Sequence, residues 1–282
     1  MGNMKVFPAP AKLNLFLHVL GRREDGYHLL QTVFRFIDYA DQLSFTVTND
    51  GVISHVNQIV GLTEADDLCI RAAKLLREQS GRETSLGVKI HLHKKIPLGG
   101  GLGGGSSDAA TTLIALNRLW AINWPKERLM KLGLELGADV PIFIYGYNAF
   151  AEGVGEKLQK MDLSPAWYIV LTPPVQVHTA AVFASKELTR NTIPIKMANF
   201  SMAQGHNDLE PVAMRMQPVI AEWLNWLKKQ PDTINVAMSG AGACMFAEFT
   251  SESAAQKVFE QLPDGMRGFV TSGLAEHPLL DF

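Results

Sequence analysis

The N-terminal segment alternates between apolar and polar positions, which is the period of a β-strand with two different faces. Four aliphatic side chains share one face: Leu13, Leu15, Leu17 and Val19. Lys12 and Asn14 lie on the opposite face, so the Lys12 ammonium can project away from an aliphatic core. Two further strands are predicted over residues 33–37 and 43–47, joined by a polar corner at residues 38–41.

Capping residues and helical spacing predict the helices. Asp66 or Asp67 begins a helix that ends near Gly81. A second helix is predicted directly after the glycine-rich residues 99–108, and a third from Pro125 to near residue 133 or 137. Three more are predicted over residues 179–188, 212–229 and 252–261. Segments rich in β-forming residues predict strands at 88–92, 142–145, 149–151, 168–171 and 236–238. Hairpins mixed with helices indicate an α+β fold.

Composition narrows the class of protein. The chain has 282 residues, 47% of them hydrophobic and 19% charged, which is typical of a globular protein and excludes a disordered one. A net charge of −2 without a basic block disfavours binding to nucleic acid or to a membrane surface. Cys69 and Cys244 are isolated and fit no zinc-site spacing. With no apolar run near the ~18 residues of a membrane span, a cytoplasmic location is expected.

The densest motif is a glycine run between a predicted strand and a predicted helix. Six of the seven residues at positions 99–105 are glycine. Such a loop lets backbone N–H groups approach an anion closely, and the helix N-terminus adds a favourable field. Ser106 and Ser107 are candidates to cap the helix or to bind phosphate, and Lys94 and Lys95 precede the loop. The run predicts a phosphate site, with a flexible loop before an ordinary capped helix as the alternative.

Two common nucleotide-binding motifs are excluded here. A dinucleotide fingerprint needs an acidic residue about 20 positions after the glycines, and none lies between Asp108 and Glu127. A Walker A loop needs Gly-Lys, which the chain lacks. A dehydrogenase is therefore disfavoured.

Three segments in order resemble the motifs of the GHMP kinases: PAKLNLFL at residues 10–17, PLGGGLGGGSSDAA at 97–110 and SGAGACMF at 239–246. DGYH at 25–28, LGADVP at 136–141 and FAEGVGE at 150–156 resemble one branch of that superfamily more closely. That branch phosphorylates the 2-hydroxyl of a cytidine-diphosphate-linked methylerythritol in the non-mevalonate isoprenoid pathway.

The resemblance implies a two-lobed α+β fold, with ATP and substrate in the cleft between lobes at residues 1–155 and 156–282. It implies ATP as phosphoryl donor, Mg²⁺, a small cytidine-diphosphate-linked polyol as the other partner, and a monomer or homodimer. A homoserine or mevalonate kinase of the same superfamily is the nearest alternative, and a non-catalytic nucleotide-binding protein is a more distant one.

The resemblance also implies roles for individual residues. The catalytic pair falls on Lys12 and Asp139, which would otherwise be interpreted as an edge charge and a turn residue. The ATP loop falls on Pro97, Leu98, Gly99, Gly100, Gly101, Leu102, Gly103, Gly104, Gly105, Ser106 and Ser107. The substrate contacts fall on Asn14, Tyr27, His28, Phe34, Thr179 and Phe183. Gly104 and Gly105 stand where many GHMP kinases have serines, so the magnesium ligands stay open.

Overall fold

A computed structural model describes residues 5–57, 63, 66–81, 85–197 and 206–282. Its strands are β1 (Phe7–Arg22), β2 (His28–Thr48), β3 (Ile53–His55), β4 (Gly87–His93), β5 (Ala149–Glu152), β6 (Lys157–Lys160), β7 (Trp167–Leu171), β8 (Asn235–Met238), β9 (Met245–Phe249) and β10 (Gly268–Ser272). Its helices are α1 (Leu68–Ser80), α2 (Gly104–Leu119), α3 (Lys126–Leu136), α4 (Val140–Tyr145), α5 (Thr179–Ala184), α6 (Glu210–Met216), α7 (Pro218–Leu227) and α8 (Glu252–Phe259).

The larger sheet is built around the long β1–β2 hairpin. Its hydrogen-bonded strands have the order β3-β4-β2-β5-β6, and β1 pairs with β2 along the hairpin. The prediction of two strands joined by a polar corner was wrong, because β2 is continuous. The polar residues are accommodated by a bulge in β2: Pro10 pairs with Ala40 but Ala11 pairs with Ile37, so Asp38 and Tyr39 are extra residues opposite β1. A bulge absorbs the extra residues without ending the strand.

The smaller sheet is antiparallel and has the order β10-β7-β9-β8. The two sheets take their strands from residues 7–160 and 167–272, with helices packed around both. This arrangement confirms the α+β class. The domain boundary between residues 155 and 156 stays a prediction. Of the helices in the described part of the chain, none combines the length and the apolar character needed to span a bilayer.

Local signals account for α1 but not for three other segments. Asp67 caps α1 by accepting the backbone N–H of Cys69, and Gly81 ends it at φ 69°. Residues 142–145 were predicted as a strand, but they belong to the buried helix α4. A short apolar run does not distinguish a strand from a buried helix.

The other two corrections concern helix length. The segment predicted as one helix over 212–229 is divided into α6 and α7 at Gln217 and Pro218. Proline has no N–H to donate and its ring disfavours helical backbone in the preceding residue, so the helix breaks there. The helix predicted over 179–188 ends at Ala184, as α5.

Three buried clusters form the core. One packs β2 and β4 against α1 to α4, and a second packs α6, α7 and α8 on the smaller sheet. The third lies between the sheets, where Leu13 and Leu15 of β1 are buried in one cluster with Tyr168 and Phe246 of the smaller sheet. The strand β1 contributes to all three clusters, so its polar face is held firmly at the junction of the two halves.

Candidate active site

Lys12 is buried at this junction, with 2% of its surface exposed. Its ammonium donates to Asn14 Oδ1 at 2.5 Å and to the Gly101 carbonyl at 3.0 Å. It also lies 3.3 Å from Asp139 Oδ2. An ammonium has three protons, and these three oxygens can receive all of them. Lys12 is therefore fixed in one orientation, not solvated at a strand edge.

Asp139 faces the cleft because it does not cap the helix that follows it. The residue precedes α4, but its side chain makes no capping hydrogen bond. Its carboxylate pairs with Lys12 and stays 38% exposed. The structure thus brings together two residues that are 127 positions apart and leaves the carboxylate accessible to a bound molecule.

The glycine loop lies directly over Lys12. Gly101 and Gly103 have φ of 76° and 72°, a region that favours glycine. A side chain added at Gly103 would lie 3.0 Å from Lys12 Cε and 2.9 Å from Phe143 Cζ. The expectation that Ser106 or Ser107 caps the following helix was wrong, because α2 begins at Gly104 with Gly103 as its N-cap and no side-chain cap bond. Its first N–H groups have no intrahelical acceptor and are suited to an anion.

The loop of the third motif locks the glycine loop from the other side. Ser239 Oγ donates to the Gly101 carbonyl at 2.9 Å and accepts the Asn14 backbone N–H at 3.2 Å. The Cys244 N–H donates to the Gly100 carbonyl at 3.1 Å. The three sequence motifs therefore meet at one point.

A cavity of about 300 Å³ opens at this meeting point. Nine of the predicted site residues line it: Lys12, Asn14, Phe34, Gly101, Gly103, Ser106, Asp139, Thr179 and Phe183. Asn14 also donates to Thr32 Oγ1 at 2.9 Å, and the Lys12 ammonium lies 5.6 Å from the centre of the Phe34 ring. One wall of the cavity is thus polar and fixed by hydrogen bonds.

A second cavity of about 570 Å³ adjoins the first. Tyr27 and His28 line it, and Thr179 and Phe183 line both cavities. The His28 and Phe183 rings are stacked, with centroids 4.9 Å apart and planes inclined by 28°. Tyr27 is 63% exposed on the hairpin turn, so its ring is available to a ligand.

The His28 ring is held from behind by a residue that sequence reasoning did not select. Arg190 Nε donates to His28 Nε2 at 3.1 Å. Burial lowers the pKa of His28, and the charges of Arg190 and Arg22 lower it further. The neutral form of His28 is therefore favoured.

The remaining loop residues are structural or line a smaller space. Leu98 and Gly105 line a cavity of about 100 Å³ together with Lys94. The other members pack into the protein, with Gly100 against Cys244 and with Leu102 and Ser107 fully buried. Pro97 and Gly99 complete the turn into the loop, and Gly104 packs on Ile96.

Lys94 is anchored beneath the loop by two carboxylates. Its ammonium lies 2.5 Å from Asp41 Oδ2 and 2.8 Å from Asp108 Oδ2. Asp41 also accepts the backbone N–H groups of Lys95 and Ile96. Burial raises the pKa of Asp108 to about 8, against the opposing effect of Lys94. The start of α2 is thus supported by a buried charge network.

One cluster among the described residues has metal-ligand chemistry. Donor atoms of His55, Asp67 and Cys69 lie within 4.8 Å of one another. The carboxylate is already used, because Asp67 caps α1 and lies 2.8 Å from His55 Nε2. Burial raises the pKa of the Cys69 thiol well above its usual range, so it is protonated. We interpret the cluster as a helix cap with a close His55–Asp67 contact.

Family models match two parts of the chain, and the first of them includes the glycine loop and Asp139. The GHMP kinases N terminal domain model matches residues 67–147, and the GHMP kinases C terminal model matches residues 186–268. A 4-diphosphocytidyl-2-C-methyl-D-erythritol kinase from Nitrosomonas europaea is 78% identical over 99% of this chain and 100% of its own length. The chain belongs to the 4-diphosphocytidyl-2-C-methyl-D-erythritol kinase family. It is an ATP-dependent small-molecule kinase of the GHMP type, as its three motifs predict.

A crystal structure of 4-(cytidine 5'-diphospho)-2C-methyl-D-erythritol kinase is also similar to this chain. It has a TM-score of 0.81 at 34% identity and covers 95% of this chain and 99% of its own. A homoserine kinase from Cytophaga hutchinsonii has a TM-score of 0.70 at 18% identity, covering 97% and 95%, and shares the fold. The predicted two-lobed GHMP fold is confirmed.

Several residues of the motifs line the cavities although they were not predicted as site residues. Val154 belongs to FAEGVGE and lines both cavities, and Gly240 and Ala241 belong to SGAGA and line the first. Leu30 lines both cavities as well, but it lies outside every motif. For Val154, Gly240 and Ala241, membership of a motif was the sequence signal that could have identified them as site residues.

Proposed function

We propose that this protein transfers the terminal phosphoryl group of ATP to the 2-hydroxyl of 4-diphosphocytidyl-2-C-methyl-D-erythritol, a step of non-mevalonate isoprenoid precursor synthesis. One observation supports this acceptor above others. The cavity at Lys12 and Asp139 adjoins a cavity with an aromatic wall, and Thr179 and Phe183 line both. A molecule with a reacting polyol at one end and a base at the other fits this pair of cavities.

In the proposed reaction the glycine loop binds the triphosphate. No side-chain cap competes for the N–H groups at the start of α2, and Gly103 and Ser106 line the cavity. The backbone of Gly103 gives the phosphates close access to Lys12. Such positioning supplies much of the catalysis in phosphoryl transfer.

Asp139 acts as the general base. Its exposed carboxylate accepts the proton of the attacking hydroxyl as the new O–P bond forms, a contribution of about 10²–10⁴-fold. Because no helix cap engages the carboxylate, both oxygens can serve the acceptor and Lys12.

Lys12 orients that base and offsets negative charge on the group in transfer. Its other two protons are bound by Asn14 and by the Gly101 carbonyl, so the ammonium does not need to reorganise during the reaction. Asn14 thus acts in this mechanism through Lys12.

The oxygen donors present fit a magnesium ion next to the triphosphate. Ser106 and Asp139 line the first cavity and offer a hydroxyl and a carboxylate. Magnesium in kinases takes one or two protein oxygens along with phosphate oxygens and water, and it neutralises charge on the phosphates. We propose Ser106 as the protein ligand of magnesium, which leaves Asp139 free to accept the proton of the hydroxyl.

A coupled ADP-release assay tests the acceptor. The purified protein is given ATP with 4-diphosphocytidyl-2-C-methyl-D-erythritol, homoserine or mevalonate in turn. We expect turnover with the cytidine compound alone. Faster turnover with homoserine or mevalonate would reject the proposed acceptor while leaving the kinase assignment in place.

Two further properties stay predictions. One is a cytoplasmic location. The other is a monomeric or homodimeric state, which light scattering would measure.

A further inference from the structure

Arg190 joins the two parts of the aromatic wall, although it does not belong to the motifs. Its Nε donates to His28 Nε2 at 3.1 Å, at the start of β2. Its Nη2 donates to the carbonyls of Phe183 at 2.8 Å and Ser185 at 2.7 Å, and its Nη1 donates to that of Leu188 at 3.1 Å. One guanidinium thus holds both stacked rings in place.

This hydrogen bond fixes the tautomer of His28. A guanidinium donates and never accepts, so His28 Nε2 must offer its lone pair. The ring proton therefore lies on Nδ1, which is the less populated tautomer of free histidine in water. A second proton is opposed by burial and by the charges of Arg190 and Arg22, and Asp25 is the acidic side chain lining the same cavity.

A fixed tautomer matters for base recognition. The N3 atom of cytosine accepts a hydrogen bond, whereas N3 of uracil carries a proton and donates. A ring restricted to one N–H donor matches cytosine and opposes uracil, whereas a ring free to exchange tautomers can satisfy either base.

We infer that Arg190 is a positioning residue that sets base specificity, by holding His28 as the Nδ1–H tautomer against Phe183. The inference rests on the proposed function, because it presumes a cytidine-linked acceptor in the second cavity. Arg190 acts through His28 and touches neither ATP nor the reacting atoms.

The kinetic test compares Arg190→Met with Arg190→Lys. For Arg190→Met we expect KM for the cytidine substrate to rise about tenfold, with KM for ATP unchanged, and the preference over the uridine analogue to fall by a similar factor. Arg190→Lys can still donate to Nε2 but cannot reach all three carbonyls. It should keep the preference while KM rises. An unchanged preference in Arg190→Met would overturn the inference.

Arg215→Met is the matched control, since Arg215 pairs with Glu187 at the surface of the same region and should alter neither KM. A preference loss as large in Arg215→Met as in Arg190→Met would also count against Arg190.

A spectroscopic test does not depend on turnover. The chain has 8 histidines, and ¹⁵N shifts of the labelled protein report the tautomer of each, with His28 assigned from His28→Gln. We expect an Nδ1–H ring whose pKa lies below the usual value for histidine, and in Arg190→Met a ring that titrates at higher pH than in the wild type. An Nε2–H ring in the wild-type protein would overturn the inference even if Arg190→Met fails to fold. If the wild type does not phosphorylate the cytidine compound, the proposed function fails and this spectrum still reports on Arg190.

Discussion

The two ends of the cleft are built differently. At the transfer end, Lys12 is buried under the glycine loop and every one of its protons has an acceptor. At the base end, Tyr27 is 63% exposed on a hairpin turn and the cavity is about twice as large. The transfer end is held together by side-chain and backbone hydrogen bonds among the three motifs. The base end is formed by the rings of His28 and Phe183 and the guanidinium of Arg190.

This difference separates two requirements. Phosphoryl transfer depends on placement within a fraction of an ångström, which a preorganised network supplies. A base remote from the chemistry needs a surface on which to stack and can tolerate a more open site. Substitutions at the transfer end should therefore lower kcat or weaken ATP binding, and those at the base end should mainly raise KM for the acceptor.

The largest effect is expected for Asp139→Asn. Turnover should fall about 10²–10⁴-fold because the amide cannot accept the hydroxyl proton, while ATP binding stays within a few-fold. Single-turnover assays and nucleotide titration measure the two quantities. Asp162→Asn, at a side chain that is 94% exposed, is the control and should behave as wild type. Turnover retained within tenfold in Asp139→Asn would exclude Asp139 as the base.

Gly103→Val should weaken ATP binding by at least about tenfold in a protein that circular dichroism shows to be folded. The new side chain would meet Lys12 and Phe143 and would resist a φ of 72°. Gly99→Val is the matched control, since Gly99 has a φ of 66° but nothing within 4 Å of an added Cβ. Equal nucleotide affinities in the two variants would show that backbone strain, not close approach, controls the loop.

His28→Ala should raise KM for the cytidine substrate about 5- to 150-fold, the range of a lost base–aromatic contact, and leave KM for ATP nearly unchanged. A modest fall in kcat is compatible, because remote binding energy helps to position the hydroxyl. His91→Ala, on the exposed face of β4, is the control. Wild-type kinetics in a folded His28→Ala would show that the His28 ring does not contribute to binding of the base.

The smallest effect concerns stability at the transfer end. Between pH 3.8 and about 8, the folded protein keeps a proton on Asp108 that the unfolded chain releases, so the free energy of unfolding falls as pH rises through this window. Asp108→Asn cannot ionise. Its Tm relative to wild type should rise by several degrees between pH 5 and pH 8. A constant or falling difference would mean that Asp108 is ionised in the folded protein at pH 5.

Sequence reasoning was most effective where a motif and a local rule coincided. The start of α1 at Asp67 and the glycine loop before α2 follow from capping and glycine chemistry, and the motifs selected Lys12 and Asp139. The burial of Lys12 and its acceptors could not be predicted, because Gly101 and Asp139 reach it only after the chain folds.

Other features were missed for the same physical reason. The polar residues 38–41 have the composition of a turn, but β2 continues through them as a bulge, with Ala40 and Asp41 paired to β1. The apolar run of α4 fits either element until the surrounding helices bury it. Arg190 lies in a segment without periodicity, and only its contacts with His28 and three carbonyls reveal its position behind the base end.

The double contact on the Gly101 carbonyl has a consequence for protein synthesis. This oxygen accepts from Lys12 and from Ser239, which lies 138 residues further along the chain. At translation rates of about 5–20 residues per second, the glycine loop is synthesised roughly 7–28 s before Ser239 is. A nascent chain therefore has every residue of the glycine loop well before it has a site that can hold ATP in place.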